Sequence, residues 1–224
     1  MKKKAFPLIF VGIEAVLLIL ILFVPFPVGV IRGLQFSAVA LAFLYALIRL
    51  FTGKIHLFLL FGLLLTVISD FFLVLLPDAN KAIPMTTFFF AQLCYAAAIY
   101  FAGIPVLRLV HLIVRGVLSL VGVLIAVIVL WGRVDYLAII SILYFVNLLV
   151  NVVFALIQFW KRPFLAVGLI LFLCCDLFVG LQSATSLGYF PLPDWLHAMV
   201  FAPFNFAWLF YIPSQTLIAL ESGR

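Results

Sequence analysis

Residues 55–76 read IHLFLLFGLLLTVISDFFLVLL, an apolar run that contains one acidic residue, Asp70. An α-helix rises about 1.5 Å per residue, so this run is long enough to cross a hydrocarbon core about 30 Å thick. Backbone groups in lipid must be hydrogen-bonded internally, and a run without period-2 alternation favours a helix over a barrel strand. The stretch therefore predicts a transmembrane helix with a carboxyl group inside it.

The composition extends this prediction to the whole chain. Of its 224 residues, 69% are hydrophobic and 9% are charged, whereas a soluble domain carries about 25% charged residues. Short connections rich in Pro, Gly or charge separate eight apolar segments: 6–24, 31–51, 55–76, 84–102, 108–131, 136–160, 164–183 and 197–220. We predict an all-α polytopic membrane bundle of about eight transmembrane helices, folded as one integral membrane domain over residues 1–224.

The first apolar segment is interpreted as an uncleaved span, because Glu14 interrupts it and no small-residue cleavage site follows. With the N-terminus inside, ten basic residues fall on the inner side: Lys2, Lys3, Lys4, Arg49, Lys54, Arg108, Arg115, Lys161, Arg162 and Arg224. Three fall on the outer side: Arg32, Lys81 and Arg133. This asymmetry predicts cytoplasmic N- and C-termini. We expect a multi-pass protein of the bacterial plasma membrane, and the oligomeric state is left open.

The distribution of charge and the absence of known motifs exclude several kinds of function. The net charge of +6 is scattered singly between apolar segments, which is typical of topology signals and argues against a nucleic-acid partner. No CxxC motif, Cys/His cluster, HExxH, GxSxG or Gly-rich phosphate loop is present. We therefore predict neither a metal nor a cofactor. The three cysteines all fall within predicted spans: Cys94, Cys174 and Cys175.

Asp70 and Asp176 share one local frame, since Gly62 and Gly168 each lie eight residues upstream of an aspartate. The two stretches read GLLLTVISDFF and GLILFLCCDLF. A carboxylate in hydrocarbon is costly and is tolerated mainly in a bundle interior or a wet cavity. Both acids lie roughly 18–22 Å from the inner boundary at 1.5 Å per residue. Their similar depth indicates a shared site, with a buried pair that merely fixes the bundle as the alternative.

Two acids in an apolar site suit general acid/base catalysis, because desolvation and mutual repulsion favour keeping at least one of them protonated. Further candidates for lining this site are polar residues inside other spans: Gln92, Tyr95, Asn205, Tyr211, Gln215 and Glu14. Packing is an equal alternative for the two tyrosines. Glu14 could instead snorkel or pair with a basic group. For Asn147, Asn151 and Gln158, hydrogen bonding between helices is favoured.

Four stretches carry a resemblance to a known family: SDFFLVLLPD (69–78), FFFAQLCYAAAIY (88–100), LFLCCDLFVGL (171–181) and YIPSQTLIALES (211–222). In order and spacing they resemble the YhhN-like lysoplasmalogenase family of eight-span membrane proteins, which cleave the vinyl-ether bond of lysoplasmalogens. The resemblance implies Asp70 and Asp176 as the catalytic pair, lined by Tyr95, Tyr211 and Gln215. Gln92 departs from the family's common His, and Ser69 from its common Gly.

The implied substrate is a lysophospholipid or ether lipid taken from the bilayer. Proton transfer from one aspartate to a vinyl-ether carbon would give an oxocarbenium ion, which water attacks with help from the other aspartate. On the predicted topology the polar head of the substrate faces an outer mouth. Two alternatives remain open: a small-molecule or proton-coupled transporter, since acids inside membranes also mark proton relays, and a non-catalytic lipid-binding protein.

Overall fold

The computed structural model describes residues 2–52, 55–76, 78–103, 105–129, 131, 134–186, 188, 191–202 and 204–223. The helices are α1 (Lys2–Phe23), α2 (Val28–Thr52), α3 (Leu57–Asp70) with a π-helical extension (Phe71–Leu75), α4 (Ala82–Ala102), α5 (Pro105–Val129), α6 (Tyr136–Ile157), α7 (Pro163–Ser186), α8 (Asp194–Val200) and α9 (Phe206–Ser222). No strand occurs within these ranges, and the predicted all-α fold is confirmed.

Seven helices within the described ranges are long and apolar enough to cross a membrane: Ala5–Phe23, Val28–Phe51, Leu57–Leu75, Ala82–Ala102, Leu107–Val129, Tyr136–Ile157 and Pro163–Ser183. These spans reproduce the first seven predicted segments to within a few residues. The protein is therefore a multi-pass membrane protein. The orientation of its termini stays a prediction. Of the inner basic residues used for it, Arg115 lies well inside the fifth span, whereas Arg49 and Arg108 lie within two residues of a span end.

The predicted eighth span, 197–220, is wrong as a continuous helix. The short helix α8 ends at Val200 and α9 begins at Phe206. The separation has a local cause, because the Asn205 side chain accepts a hydrogen bond from the backbone N–H of Trp208 and caps α9. With 17 residues, α9 is about 26 Å long. Pro213 lies within α9, and Pro203 lies outside the described residues.

Six helices pack side by side in a closed ring, in the order α2, α3, α4, α6, α7 and α9, and α9 contacts α2 to close it. Helix α9 has its most extensive contact with α7 and also touches α1 and α3. Helix α5 packs on α6 outside the ring, with most of its surface exposed to the surroundings of the bundle. The ring brings the polar residues of five different helices toward one interior.

The two glycines of the repeated frame are points of close helix approach. A Cβ atom on Gly62 would lie 2.2 Å from Cε1 of Tyr95, so this glycine makes room for the tyrosine ring of α4. A Cβ atom on Gly168 would lie 2.9 Å from Cγ1 of Ile218 and 3.1 Å from the carbonyl oxygen of Ser214 on α9. Side chains at either position would force neighbours to shift. The glycine that lies eight residues before each aspartate therefore marks a close helix contact, about two turns before Asp70 in α3 and before Asp176 in α7.

Candidate active site

Asp70 and Asp176 occupy matching positions on their helices. Asp70 is 13 residues past Leu57, the first residue of α3, and Asp176 is 13 residues past Pro163, the first residue of α7. Each carboxyl group therefore lies about 20 Å along its helix. The side chain of Asp70 is 3% exposed, whereas Asp176 is partly buried. Tyr211, which bonds Asp70, packs its ring on Phe172, one turn before Asp176 on α7, so both carboxyl groups lie in the same region of the bundle.

Each aspartate is hydrogen-bonded by its own tyrosine. The hydroxyl of Tyr211 on α9 donates to Oδ2 of Asp70 at 2.5 Å. The hydroxyl of Tyr144 on α6 donates to Oδ2 of Asp176. Both tyrosines are buried, at 5% and 6% exposure. Each phenol bonds only one carboxyl oxygen, which leaves the other oxygen for a substrate or a water molecule.

Tyr144 is the site residue that the sequence analysis did not single out. It lies three residues before Asn147 and seven before Asn151, so the three polar side chains share one face of α6. This period was visible in the sequence. A single tyrosine in an apolar helix does not by itself show whether its hydroxyl meets an acid or only water at an interface.

Aromatic rings connect the two tyrosines. The Phe172 ring contacts Tyr211 edge-on at a centroid distance of 5.4 Å, and it contacts Phe88 at 6.0 Å. The Phe88 ring lies 5.6 Å from that of Tyr144. Phe88 and Phe172 are both buried. The carboxyl groups are thus bordered by an apolar wall, and hydrogen bonds to charged groups are stronger where water is excluded.

The backbone changes at Asp70. The residues Phe71–Leu75 form a π-helical turn that begins immediately after this aspartate. Such turns are rare in proteins, and many of those that occur lie at functional sites. The side chain of Ser69 donates a hydrogen bond to the carbonyl oxygen of Pro84 at 2.6 Å and fixes this end of α3 to α4. The position of Asp70 is therefore held on both sides, by the α4 backbone through Ser69 and by Tyr211.

Three other predicted site residues are buried: Tyr95 on α4, Gln215 on α9, and Glu14 on α1, which packs against α2 and α9 outside the ring. The hydroxyl of Tyr95 is 3.2 Å from Oγ1 of Thr66, which in turn donates to the carbonyl oxygen of Gly62 at 3.0 Å. Gln215, 1% exposed, lies one turn after Tyr211, and within the described ranges its amide nitrogen and oxygen have no hydrogen-bond partner. Glu14, 3% exposed, also has two unpartnered carboxyl oxygens there. Buried polar atoms of this kind call for an external partner.

Asn205 lies apart from the aspartates. Its exposed side chain caps α9, as described above, and it borders a cavity of about 140 Å³ at the start of α9. The cavity is lined by Phe178, Gln182, Val200, Ala202, Phe204, Asn205, Phe206 and Ala207. Because Phe178 follows Asp176 by two residues, this cavity lies near the α7 half of the pair.

Gln92 belongs to a different polar group from the aspartates. Its backbone carbonyl and its Oε1 both accept hydrogen bonds from Nδ2 of Asn151, at 2.8 and 2.9 Å. Asn151 and Asn147 in turn accept hydrogen bonds from Arg115 of α5. Gln158 donates to the carbonyl oxygen of Ile99 at 3.3 Å. These contacts between helices agree with the structural interpretation of the two asparagines and Gln158.

Comparison with known proteins gives one match. The model of the YhhN family matches residues 30–221. The chain belongs to the YhhN family. The range matched to the YhhN family includes Asp70, Asp176, Tyr144 and Tyr211 and leaves out Glu14, which precedes it. Neither a curated protein nor a solved structure gives a significant match. In the described part of this YhhN protein, no three His, Cys, Asp or Glu side chains come together as metal ligands.

Proposed function

We propose that this YhhN-family protein is a lysoplasmalogenase-like hydrolase of the bacterial plasma membrane. Its substrate is an alkenyl lysophospholipid with an ethanolamine or choline head group, drawn from the bilayer. The products are a fatty aldehyde and a glycerophospho-alcohol. The observation that supports this proposal most strongly is the pair of membrane-embedded carboxyl groups, each hydrogen-bonded to a buried tyrosine.

The reaction needs one proton donor and one proton acceptor. The donor carboxyl protonates the vinyl carbon farther from oxygen, and the C=C electrons form the new C–H bond. The positive charge is then shared between the neighbouring carbon and the ether oxygen. Water adds to that carbon and gives its proton to the other carboxylate. When the resulting hemiacetal collapses, the second carboxyl group gives its proton to the departing glycerol oxygen, and the first carboxylate takes the hydroxyl proton as the C=O bond forms. One water is consumed, the glycerol hydroxyl and the aldehyde are released, and both carboxyl groups recover their starting forms.

The different exposures of the aspartates suggest their roles. Asp176 is only partly buried, whereas Asp70 is 3% exposed. Because Asp176 is the less enclosed of the two, we assign activation of water to Asp176 and delivery of the proton to Asp70. As Asp70 loses its proton it gains negative charge, and the hydrogen bond from Tyr211 stabilises that charge in the transition state.

The test uses protein purified in detergent and a panel of alkenyl, alkyl and acyl lysophospholipids, with free aldehyde measured by mass spectrometry. The proposal predicts aldehyde from alkenyl lipids alone. Asp70→Asn and Asp176→Asn should each lower kcat by about 10²- to 10⁴-fold, the usual contribution of a general acid or base. Thermal unfolding of both variants checks that they remain folded.

Two outcomes would contradict the proposal. Aldehyde release at the wild-type rate from both asparagine variants would remove the aspartates from the mechanism. Absence of aldehyde from every alkenyl lipid, together with proton-dependent solute flux in proteoliposomes, would indicate the transporter alternative.

A further inference from the structure

Arg115 carries a charge inside the membrane and has only neutral partners. It lies ten residues past Pro105, the first residue of α5, and so about 15 Å into the helix. The side chains bonded to it are two asparagines and a histidine, and no acidic side chain of the described chain is among them. Charged groups at this depth are usually paired or functional. The positive charge therefore lacks its counter-charge.

These hydrogen bonds hold the guanidinium of Arg115, which belongs to α5, against side chains of α6. Nη1 donates to Oδ1 of Asn147, and Nη2 donates to Oδ1 of Asn151 at 2.6 Å. Nη2 also lies 2.9 Å from Nε2 of His111. His111 is one turn earlier on α5, and its side chain is 3% exposed. We call Arg115, His111, Asn147, Asn151 and Gln92 the Arg115 cluster. Neutral acceptors orient the cation and leave its charge available to an anion.

A buried donor in the same cluster has no partner. Oε1 of Gln92 accepts from Asn151, but within the described residues Nε2 of Gln92 makes no hydrogen bond. Gln92 is 0% exposed, so water does not satisfy this N–H group from the surface. An unpartnered donor and an uncompensated cation together call for a ligand with negatively charged oxygen atoms.

The cluster lies next to the aspartate pair along the bundle. Asn147 follows Tyr144 by three residues on the same face of α6, and Tyr144 bonds Asp176. Asn147 is ten residues from Ile157, the end of α6, which places it about 15 Å from the end where α7 begins. Asp176 is about 20 Å from that end. Along the bundle axis, Asn147 is thus about one helical turn from the acids and Asn151 about two.

We propose that the Arg115 cluster binds the phosphate group of the lysolipid, with Arg115 as the specificity-determining residue. The identification of the ligand as a lysolipid rests on the proposed function. In such a lipid only the glycerol backbone separates the ether oxygen from the phosphate, a spacing that fits neighbouring sites one helical turn apart. The phosphate then points from the aspartates toward the end of the bundle where α7 begins, which differs from the outward-facing head expected from the sequence.

The test measures binding without turnover. A tritiated 1-O-alkyl lysophosphatidylethanolamine has a saturated ether and cannot undergo the proposed cleavage, and 1-O-alkylglycerol is its phosphate-free counterpart. Wild-type protein in detergent should bind the phospholipid about 10- to 100-fold more tightly, the range given by charge-assisted hydrogen bonds. Arg115→Gln should remove most of this preference while retaining affinity for alkylglycerol, and Arg115→Lys should retain part of it.

Arg108→Gln is the matched control. Arg108 is the other arginine of α5, and it contacts the Phe101 carbonyl oxygen and the Tyr100 ring instead of Asn147 and Asn151. This variant should keep the full preference for the phospholipid. If Arg115→Gln does not fold, Gln92→Leu is the second variant. It removes the unpartnered donor together with the Oε1 acceptor of Asn151, whose Nδ2 still has the Gln92 backbone carbonyl, and it should reduce the same preference.

The outcomes separate the proposals. Equal binding of the two ether lipids by wild-type protein overturns the phosphate site, as does an equal loss of both in Arg115→Gln, which would make Arg115 only a contact between α5 and α6. Inorganic phosphate that binds as tightly as the lysolipid would indicate a site for free phosphate and would overturn the lipid assignment. A retained preference without aldehyde release would reject the hydrolase and keep the phosphate site.

Discussion

Replacing Tyr211 with phenylalanine tests whether the tyrosine contributes to catalysis through Asp70. The change removes one hydroxyl, which donates to Asp70 at 2.5 Å, and keeps the ring that packs on Phe172 and Trp208. Both bonded residues are buried, at 5% and 3% exposure, so water does not replace the lost donor easily. A hydrogen bond to a charged group contributes about 1.5–3 kcal/mol. If this stabilises the carboxylate formed in the transition state, kcat should fall by about 10- to 150-fold.

The assay is aldehyde release at saturating alkenyl lysolipid, with thermal unfolding as the check on folding. Tyr45→Phe is the matched control. Tyr45 is also buried, at 4% exposure, but it stacks on Phe6 and Phe10 at the α1–α2 contact, away from the aspartates. Its variant should keep wild-type kcat. A Tyr211→Phe variant within about twofold of Tyr45→Phe would refute the assignment, because the expected loss is at least tenfold.

Three further changes test the fold around the site. Gly62→Ala places a Cβ atom 2.2 Å from Tyr95 and should lower the free energy of unfolding by about 1–3 kcal/mol; Gly180→Ala, with no atom within 4 Å, is its control in the same denaturation assay. Asn205→Ala removes the α9 cap and should cost about 1 kcal/mol without changing KM, and a raised KM would instead support the substrate-binding role expected from the sequence. Burial lowers the pKa of His56, which precedes the span at Leu57, from 6.5 to about 4. The unfolded chain therefore binds this proton at higher pH than the folded protein, and thermal stability should fall as pH decreases from 6.5 toward 4. His56→Gln should flatten that dependence, and an unchanged slope would contradict it.

The sequence predicted those parts of the fold that are determined by the hydrocarbon core of the membrane. Hydrocarbon requires long apolar helices, so seven spans could be located from length and composition alone. The same cost of charge in lipid identified Asp70 and Asp176 as functional candidates. The predicted bounds of the eighth segment are wrong because the start of α9 depends on a cap at Asn205, and one hydrogen bond to the Trp208 backbone leaves little trace in an apolar pattern.

The parts that could not be predicted depend on which helix faces which. The side chains of Tyr144 and Arg115 can each play several ordinary roles, and their partners on other helices lie 32 residues or more away in the sequence. Arg115 was counted as a topology signal because a basic residue near a span end usually is one. Its bonds to Asn147 and Asn151 emerge only when α5 packs on α6.

The most direct test of the central claim is the isotope content of the aldehyde formed in D₂O. If the protein transfers a proton to the vinyl carbon, the aldehyde carries one deuterium on the carbon next to the carbonyl group, because the carboxyl proton exchanges with solvent. Unlabelled aldehyde added to the same reaction measures exchange after release. The account predicts one deuterium per aldehyde from wild-type protein and loss of aldehyde from Asp70→Asn. Aldehyde without deuterium at that carbon would contradict it.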